Sequence, residues 1–157
     1  MAKLFKPPNQ VADWSKPSVF LAGTIDNGNS EDWQAIVEKA LADLDVLILN
    51  PRRDAWDPTW EQSISNPLFR EQVEWELDGL ERADCVLVNF LSDSLSPITL
   101  LELGLFATSG KLIVVCPDGF WRKGNVEVVA ARYGFTLFQT IEEAVAELKN
   151  RLSSDGR

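Results

Sequence analysis

The chain has 157 residues, of which 45% are hydrophobic, and it carries a net charge of −9 with no histidine. This length allows one domain that buries a core without disulfides or metal staples. The lack of histidine excludes His-based triads, imidazole acid–base catalysis and the usual zinc sites, and the acidic charge disfavours nucleic-acid polymers and anionic membranes as partners. We therefore expect carboxylate, amide or hydroxyl chemistry on a small ligand, with no metal and no organic cofactor.

Two further features favour a cytoplasmic, reduced protein. Cys85 and Cys116 each lie in an apolar run, where a thiol behaves as a small buried hydrophobe. No apolar stretch approaches the roughly 20 residues that span a bilayer, and the sequence MAKLFKPPNQ lacks the apolar region of a signal peptide. We expect no membrane association.

Strand and helix patterns alternate along the chain. Residues 1–16 contain two adjacent prolines and predict an irregular arm, residues 17–152 form the domain, and residues 153–157 form a tail. Short apolar runs predict five buried strands, at 18–23, 46–51, 84–90, 111–116 and 136–139. Apolar residues at helical spacing predict helices from a cap at Asn29 or Ser30 to residue 44, and at 68–82, 96–109, 125–133 and 141–152.

This alternation predicts a single doubly wound, flavodoxin-like α/β domain. Its sheet would have five parallel strands joined by right-handed crossovers, with helices on both faces. In such folds the ligand crevice lies beyond the carboxyl ends of the strands, at the point where the strand order reverses. The loops that follow the strands are therefore the first place to look for functional residues.

Glu102 is the strongest local signal. It lies in SPITLLELGLFATSGK, a helix without a charged face, and such a helix is typical of a buried one. A buried carboxylate costs several kcal/mol unless it is paired, hydrogen-bonded or protonated. We interpret Glu102 as a functional acid; the alternative is a structural acid bonded to backbone amides or to a partner side chain.

Glu76 is the natural second acid. It lies one turn from Val73 and Leu80 and so borders the apolar seam of its helix. Several other acids occupy the same helix, so an ordinary solvated carboxylate is an equal alternative.

The loops offer further candidates for ligand binding. Gly23 and Thr24 lie in AGTIDNGN after the first strand, where amides and a hydroxyl could meet a ligand, although a plain connecting loop is the alternative. Ser96 opens the Glu102 helix and could equally be only its N-cap. Arg52, followed by Arg53, could clamp a phosphate or stack on a base, with solvent-facing side chains as the alternative.

Three of the six tryptophans lie in predicted loops, where an aromatic face could stack on a nucleobase. These are Trp56, Trp60 and Trp121. Packing and interface roles account for most tryptophans of a chain of this size.

Four motifs together resemble the nucleoside 2-deoxyribosyltransferase-like family. They are FLAG near the start, WELDGLERADCVLV, LELGLFATSGK, and GNVEVV after the fourth strand, and the resemblance covers residues 17–135. It implies that Glu102 is the nucleophile that attacks the anomeric carbon of the sugar, that Glu76 contacts the nucleobase, and that Asn125 reaches into the site of a neighbouring subunit. Thr99, one turn before the nucleophile, is a further candidate substrate contact.

The resemblance also shows departures from the family pattern. Transferases of the family carry an aspartate where this chain has Ser96, whereas related hydrolases of deoxynucleoside 5′-monophosphates carry a phosphate-binding serine. Glu76 is one methylene longer than the usual aspartate. The substrate is therefore either a 2′-deoxynucleoside or its monophosphate.

We consider three functions. The leading one is cleavage or transfer at the N-glycosidic bond, with Glu102 as nucleophile and Glu76 as general acid. The second is a non-catalytic module that binds a nucleoside or nucleotide, in which Glu102 accepts hydrogen bonds from ribose hydroxyls. The third is an accessory protein that uses exposed tryptophans for partner contacts. A role for Asn125 in a neighbouring site implies a homodimer or larger homo-oligomer.

Overall fold

Six strands and five helices make up the part of the chain that the computed structural model describes, residues 1–24, 31–53 and 57–154. The strands are β1 (Lys3–Phe5), β2 (Ser18–Gly23), β3 (Leu47–Leu49), β4 (Cys85–Asn89), β5 (Leu112–Val115) and β6 (Leu137–Phe138). The helices are α1 (Trp33–Leu41), α2 (Pro67–Arg82), α3 (Pro97–Phe106), α4 (Lys123–Tyr133) and α5 (Ile141–Ser154).

The strands form one parallel sheet in the order β1-β3-β2-β4-β5-β6. This confirms the predicted α/β class with a parallel sheet, and the order of β2 to β6 is the flavodoxin-like one. From β2 the chain moves first to β3 on one side and later to β4 on the other. The carboxyl ends of β2 and β4 therefore border the crevice where open α/β sheets bind their ligands.

The prediction of five strands was wrong by one. The additional strand, β1, lies within the predicted irregular arm and pairs in parallel with β3, with Lys3 opposite Leu47 and Phe5 opposite Leu49. Three residues at a sheet edge carry too little hydrophobic pattern to be recognised locally. Pairing with a strand more than 40 residues away, and the packing of Phe5 against the core, define it.

Helices cover both faces of the sheet, as predicted. Successive β2 residues alternate between two hydrophobic clusters, because neighbouring side chains of a strand point to opposite faces. Val19 and Leu21 face α1 and α5, whereas Phe20 and Ala22 face α2, α3 and α4. The helix residues of the first cluster include Trp33, Val37, Leu41, Ala144 and Leu148, and those of the second include Trp75, Leu80, Leu103 and Val126.

Helix α3 is not buried all round, contrary to the interpretation of its apolar sequence. Ile98, Leu101 and Leu105 are 59%, 60% and 56% exposed and form one stripe on its outer face. Leu103 is buried against the sheet. The apolar composition therefore marks two faces, one in the core and one at the surface of this chain.

Helix α1 begins at Trp33, and Asp32 is its N-cap, accepting a hydrogen bond of 3.2 Å from the amide of Ala35. Asn29 and Ser30, which the sequence favoured as the cap, lie outside the described residues. Cys85 and Cys116 are buried thiols that form no disulfide within the described residues, and their burial was predicted. None of the helices in the described ranges has the length and hydrophobicity to cross a bilayer.

Candidate active site

Glu76 and Glu102 come from helices α2 and α3, which pack on the same face of the sheet. Gly79 lets α2 approach β2 closely, because a Cβ at this position would lie 2.8 Å from the ring of Phe20. Both carboxyl groups are largely enclosed by protein, while each residue retains some exposed surface. The charge of Glu76 acts on Glu102, so the fold brings together the two acids that the sequence singled out.

The two carboxyl groups hold their protons to unusually high pH. Burial raises the pKa of Glu76 to about 7, against the opposing effect of a hydrogen bond from Gln72. Burial also raises the pKa of Glu102 to about 8, and the negative charge of Glu76 adds to this effect. Near neutral pH the pair therefore retains a proton that it can give to a ligand.

Gln72 supports Glu76 directly, and sequence reasoning missed it. Its side-chain amide lies one helical turn before Glu76 and donates a hydrogen bond of 3.1 Å to Oε1 of that residue. The Gln72 oxygen in turn accepts a bond of 3.1 Å from Nε of Arg53. The i, i+4 spacing in the helix was the available signal, because residues four apart lie on the same face.

Thr24, Ser94 and Ser96 form a buried hydroxyl cluster at the N-terminus of α3. The Oγ atom of Ser96 lies 2.5 Å from Oγ1 of Thr24 and 3.0 Å from Oγ of Ser94. Ser96 makes no capping bond and has φ of +47°, a left-handed conformation that is costly for a residue other than glycine. Ser96 is therefore the N-cap residue of α3 by position, but its hydroxyl bonds to Thr24 and Ser94 and does not cap the helix.

The two arginines are held by protein groups on different sides. Arg52 donates a bond of 3.1 Å to the backbone oxygen of Glu31 and lies 3.7 Å from the carboxylate of Asp32, toward the start of α1. Arg53 pairs with Glu71 at 2.9 Å and is the one connected to the acid pair, through Gln72. Both side chains are largely buried, so neither is the solvent-facing arginine that was the alternative.

The structure gives Gly23 a packing role. A Cβ on this residue would lie 2.5 Å from the backbone oxygen of Asn89 and 2.5 Å from the ring of Trp33. Glycine is therefore required where β2 ends, whether or not its amide also contacts a ligand.

Thr99, a further candidate from the sequence, is buried on α3, one turn before Glu102.

Two cavities in the described part of the structure lie away from the acid pair. One of about 600 Å³ opens beyond β4 and β5, toward α1 and α5, and the other, of about 210 Å³, lies between α2 and the N-terminal segment. Neither is lined by Glu76 or Glu102. We assign the site to the acid pair because both of its carboxyl groups have raised pKa values, and because Gln72 joins Glu76 to Pro51, which lies just after the carboxyl end of β3.

Comparison with known proteins gives a family. The model of the family described as nucleoside 2-deoxyribosyltransferase like matches residues 16–120, more than half of the chain. The chain belongs to this family. Among solved structures, a conserved protein from Enterococcus faecalis V583 has a TM-score of 0.59 at 12% identity, over 87% of this chain and 99% of that one, and so shares the fold. No curated protein sequence matches this chain.

Asn125, the last of the residues predicted to bind substrate, lies in α4 and is exposed. Within the described residues, no hydrogen bond joins it to Glu76 or Glu102. The expectation that it acts in a neighbouring subunit stays a prediction.

The loop tryptophans make different contacts. Arg53 stacks over Trp60 with its guanidinium carbon 5.3 Å from the ring centre. Trp121 is 51% exposed and donates a bond of 2.9 Å to the backbone oxygen of Leu95. Trp56 lies outside the described residues. Trp60 is thus connected, through Arg53, to the contacts that hold Glu76.

Proposed function

We propose that this protein cleaves or transfers the N-glycosidic bond of a 2′-deoxynucleoside or its 5′-monophosphate, with Glu102 as nucleophile and Glu76 as general acid. The observation that carries the proposal is the pair itself: two enclosed carboxyl groups, one on α2 and one on α3, that act on each other and each have a raised pKa. Family membership supports the same reaction class.

The first step forms a glycosyl ester. An ionised oxygen of Glu102 attacks C1′ of the sugar while the bond from C1′ to the base nitrogen breaks, and its electron pair passes to the base. The base, or the ring atom that takes up this charge, receives the proton of Glu76. Glu76 is left ionised, and Glu102 is esterified and neutral.

The second step releases the sugar. Water, or the nitrogen of a second base, attacks C1′ and loses a proton to Glu76, and the ester bond breaks to restore the Glu102 carboxylate. A water acceptor makes the enzyme a hydrolase, and a base acceptor makes it a transferase. Both outcomes use the same two residues.

The resting pair must shift its proton before the first step. In the free protein the proton favours Glu102, because Gln72 stabilises the charged form of Glu76. A base nitrogen placed beside Glu76 draws the proton there, since it accepts a hydrogen bond from the protonated acid. The reactive arrangement is thus formed by substrate, which limits the exposure of a charged nucleophile to water.

The hydroxyl cluster supports a place for the 5′ end of the substrate. Ser96 stands at the position of the phosphate-binding serine of related hydrolases, and Thr24 and Ser94 contact it. Hydroxyls can donate to either a 5′-hydroxyl or a phosphate. Comparing a deoxynucleoside with its monophosphate therefore measures which of the two this cluster accommodates.

A binding module remains the second candidate, and one observation favours it. A protonated Glu102, as burial and Glu76 favour below about pH 8, donates a hydrogen bond to a ligand rather than attacking it. In that case nucleosides bind and shift the unfolding temperature but are not consumed.

Turnover separates the two functions. The protein is incubated with each deoxynucleoside and each monophosphate, with and without a second free base, and base release and exchange are followed by chromatography. We expect release or exchange with at least one substrate, and its loss, by about 10³-fold or more, in Glu102→Gln. Intact-mass analysis of rapidly quenched samples should show wild-type protein heavier by one sugar moiety.

Glu74→Gln is the matched control. Glu74 is an exposed acid on α2 that pairs with Arg70 at 2.9 Å, so the variant removes one charge from the same helix without touching the pair. It should retain wild-type turnover. Absence of product from every substrate would refute the enzyme and leave the binding module.

A further inference from the structure

Gln72 is tied to three groups that together fix the orientation of its amide. Its nitrogen donates to the backbone oxygen of Pro51 at 3.0 Å and to Oε1 of Glu76 at 3.1 Å. Its oxygen accepts from Nε of Arg53 at 3.1 Å. Gln72 is 4% exposed, so water does not compete for these bonds.

The amide cannot be turned over without losing all three bonds. A flipped amide would set its oxygen against the Pro51 carbonyl and the Glu76 carboxylate, which are both acceptors. It would also set its NH₂ group against the guanidinium of Arg53, which has only donors. Gln72 therefore presents a donor, and only a donor, to Glu76.

Arg53 is itself held firmly. Its guanidinium pairs with Glu71 at 2.9 Å and stacks over Trp60 at 5.3 Å, and its side chain is 10% exposed. The orientation of Gln72 is thus set from the loop after β3, which is a different segment from the helix that carries both Gln72 and Glu76.

A fixed donor at Oε1 determines where Glu76 can hold a proton. A carbonyl oxygen is a stronger acceptor than the hydroxyl oxygen of a carboxylic acid, so the Gln72 donor favours Oε1 as the carbonyl oxygen of the neutral acid. The proton of the neutral acid is then favoured on Oε2. We propose that Gln72, oriented by Arg53, is a positioning residue that reserves Oε1 of Glu76 and so makes Oε2 the atom that gives its proton to the leaving base.

This inference rests on the proposed function for the fate of the proton, but not for its location. The charged groups that bear on Glu76 are few: Glu102 faces it from α3, and Arg53 acts through Gln72 from the loop after β3. Glu71, on the same helix, is engaged by Arg53. Removing the Gln72 donor therefore changes one identifiable contact of Glu76.

Carboxyl ¹³C NMR titration of the free protein tests the contact without substrate. The Glu76 and Glu102 signals are assigned from the Glu76→Gln and Glu102→Gln variants. In Gln72→Met, which keeps the size of the side chain but has no donor, the Glu76 midpoint should rise by about one to two pH units. In Gln72→Glu, which keeps an oxygen for Arg53 but adds a negative charge, it should rise further.

Turnover then tests the consequence. In Gln72→Met, kcat should fall by about 10- to 100-fold with KM little changed, because the acid is misplaced while substrate contacts persist. The alkaline limb of the profile of kcat against pH should move to higher pH, as the NMR midpoint of Glu76 does. Gln62→Met, a change at an exposed glutamine in the loop before α2, is the control and should leave titration and kcat at wild-type values.

The outcomes separate the two proposals. An unchanged Glu76 midpoint in both folded Gln72 variants would overturn the inference, whatever the wild-type protein catalyses. A risen midpoint with an unchanged kcat would overturn the role of Oε2 as proton donor. If the wild-type protein turns over no substrate, the proposed function fails, and the titration alone still decides whether Gln72 reserves Oε1. If Gln72→Met does not fold, Gln72→Leu, which also lacks a donor and adds no charge, gives the same decision.

Discussion

Glu102 shows how a single carboxyl group can be interpreted once its surroundings are known. Among the described residues, no amide or side chain donates a hydrogen bond to it, and its neighbours in sequence are apolar. The alternative of a structural acid bonded to backbone or partner groups therefore has no support in these residues. Its proximity to Glu76 raises its pKa further, which is the opposite of what a stabilising partner would do.

The raised pKa values predict how stability depends on pH. A carboxyl group with a folded-state pKa above its ordinary value of 4.5 binds a proton when folded and not when unfolded in the interval between the two. Raising the pH from about 5 to about 8 should therefore lower the free energy of unfolding. Glu102→Gln removes this dependence for one group. The difference in free energy of unfolding between the variant and wild type should therefore grow by about 2 to 4 kcal/mol, in favour of the variant, as the pH rises from 5 to 8.

Urea denaturation at pH 5, 6.5 and 8 measures this effect. Glu74→Gln, which removes an exposed acid of the same net charge, should follow the wild-type curve. If the free energy of unfolding changed with pH to the same extent in wild type and Glu102→Gln, Glu102 would not be held in its neutral form by the fold.

At the scale of one element, the start of α3 combines strain with buried polar bonds. Ser96 adopts a positive φ, while its hydroxyl bonds to Thr24 and Ser94 inside the protein. The bonds between α3 and the end of β2 hold the residue in a conformation that it would otherwise avoid. This contact also fixes where α3 starts, and so the position of Glu102 two turns later.

Two substitutions separate the strain from the bonds. Ser96→Ala loses the hydroxyl and keeps the strained backbone, so it should destabilise the protein by about 1 to 3 kcal/mol. Ser96→Gly also loses the hydroxyl but adopts positive φ freely, so it should be more stable than Ser96→Ala by about 1 kcal/mol. Urea denaturation of the three proteins checks the order, and a glycine variant less stable than the alanine variant would contradict the role of the backbone strain.

At the scale of the whole molecule, exposed apolar side chains lie on α3 and α4, two helices that pack on the same face of the sheet. They are the outer stripe of α3 and Val128 and Tyr133 of α4, and Trp121 in the loop before α4 is also exposed. Exposed patches of this kind are typical of protein–protein interfaces. Because Asn125 is exposed on α4 and the family resemblance assigns it to a neighbouring site, we propose that a second copy of this chain covers this surface.

A lysine in the α3 stripe tests this assembly. Leu101→Lys should convert the oligomer to a monomer, because a charge at a buried apolar contact is costly, and the monomer should lose the activity that requires Asn125 of a neighbour. Light scattering after size exclusion gives the mass. Ile64→Lys, at an exposed loop residue, is the matched control and should keep the wild-type mass. A monomeric wild-type protein would contradict the proposal.

Periodicity determined most of the fold in advance, since each buried strand and each amphipathic helix has its own local pattern. The parallel α/β class, helices on both faces, and the bounds of α2 within one residue of prediction all follow from it. Periodicity missed β1, because this three-residue edge strand is defined by its pairing with β3 and has too few residues to show a pattern of its own.

The candidate site divides in the same way. The sequence by itself determined that Glu102 was anomalous and that Glu76 bordered an apolar seam, because both facts depend on neighbours within two helical turns. Only the tertiary structure decided that these acids act on each other, that Ser96 bonds to Thr24 instead of capping, and that Arg53 rather than Arg52 supports the pair through Gln72. These contacts join residues 19 to 72 positions apart, and their geometry depends on how the segments pack, which no local pattern encodes.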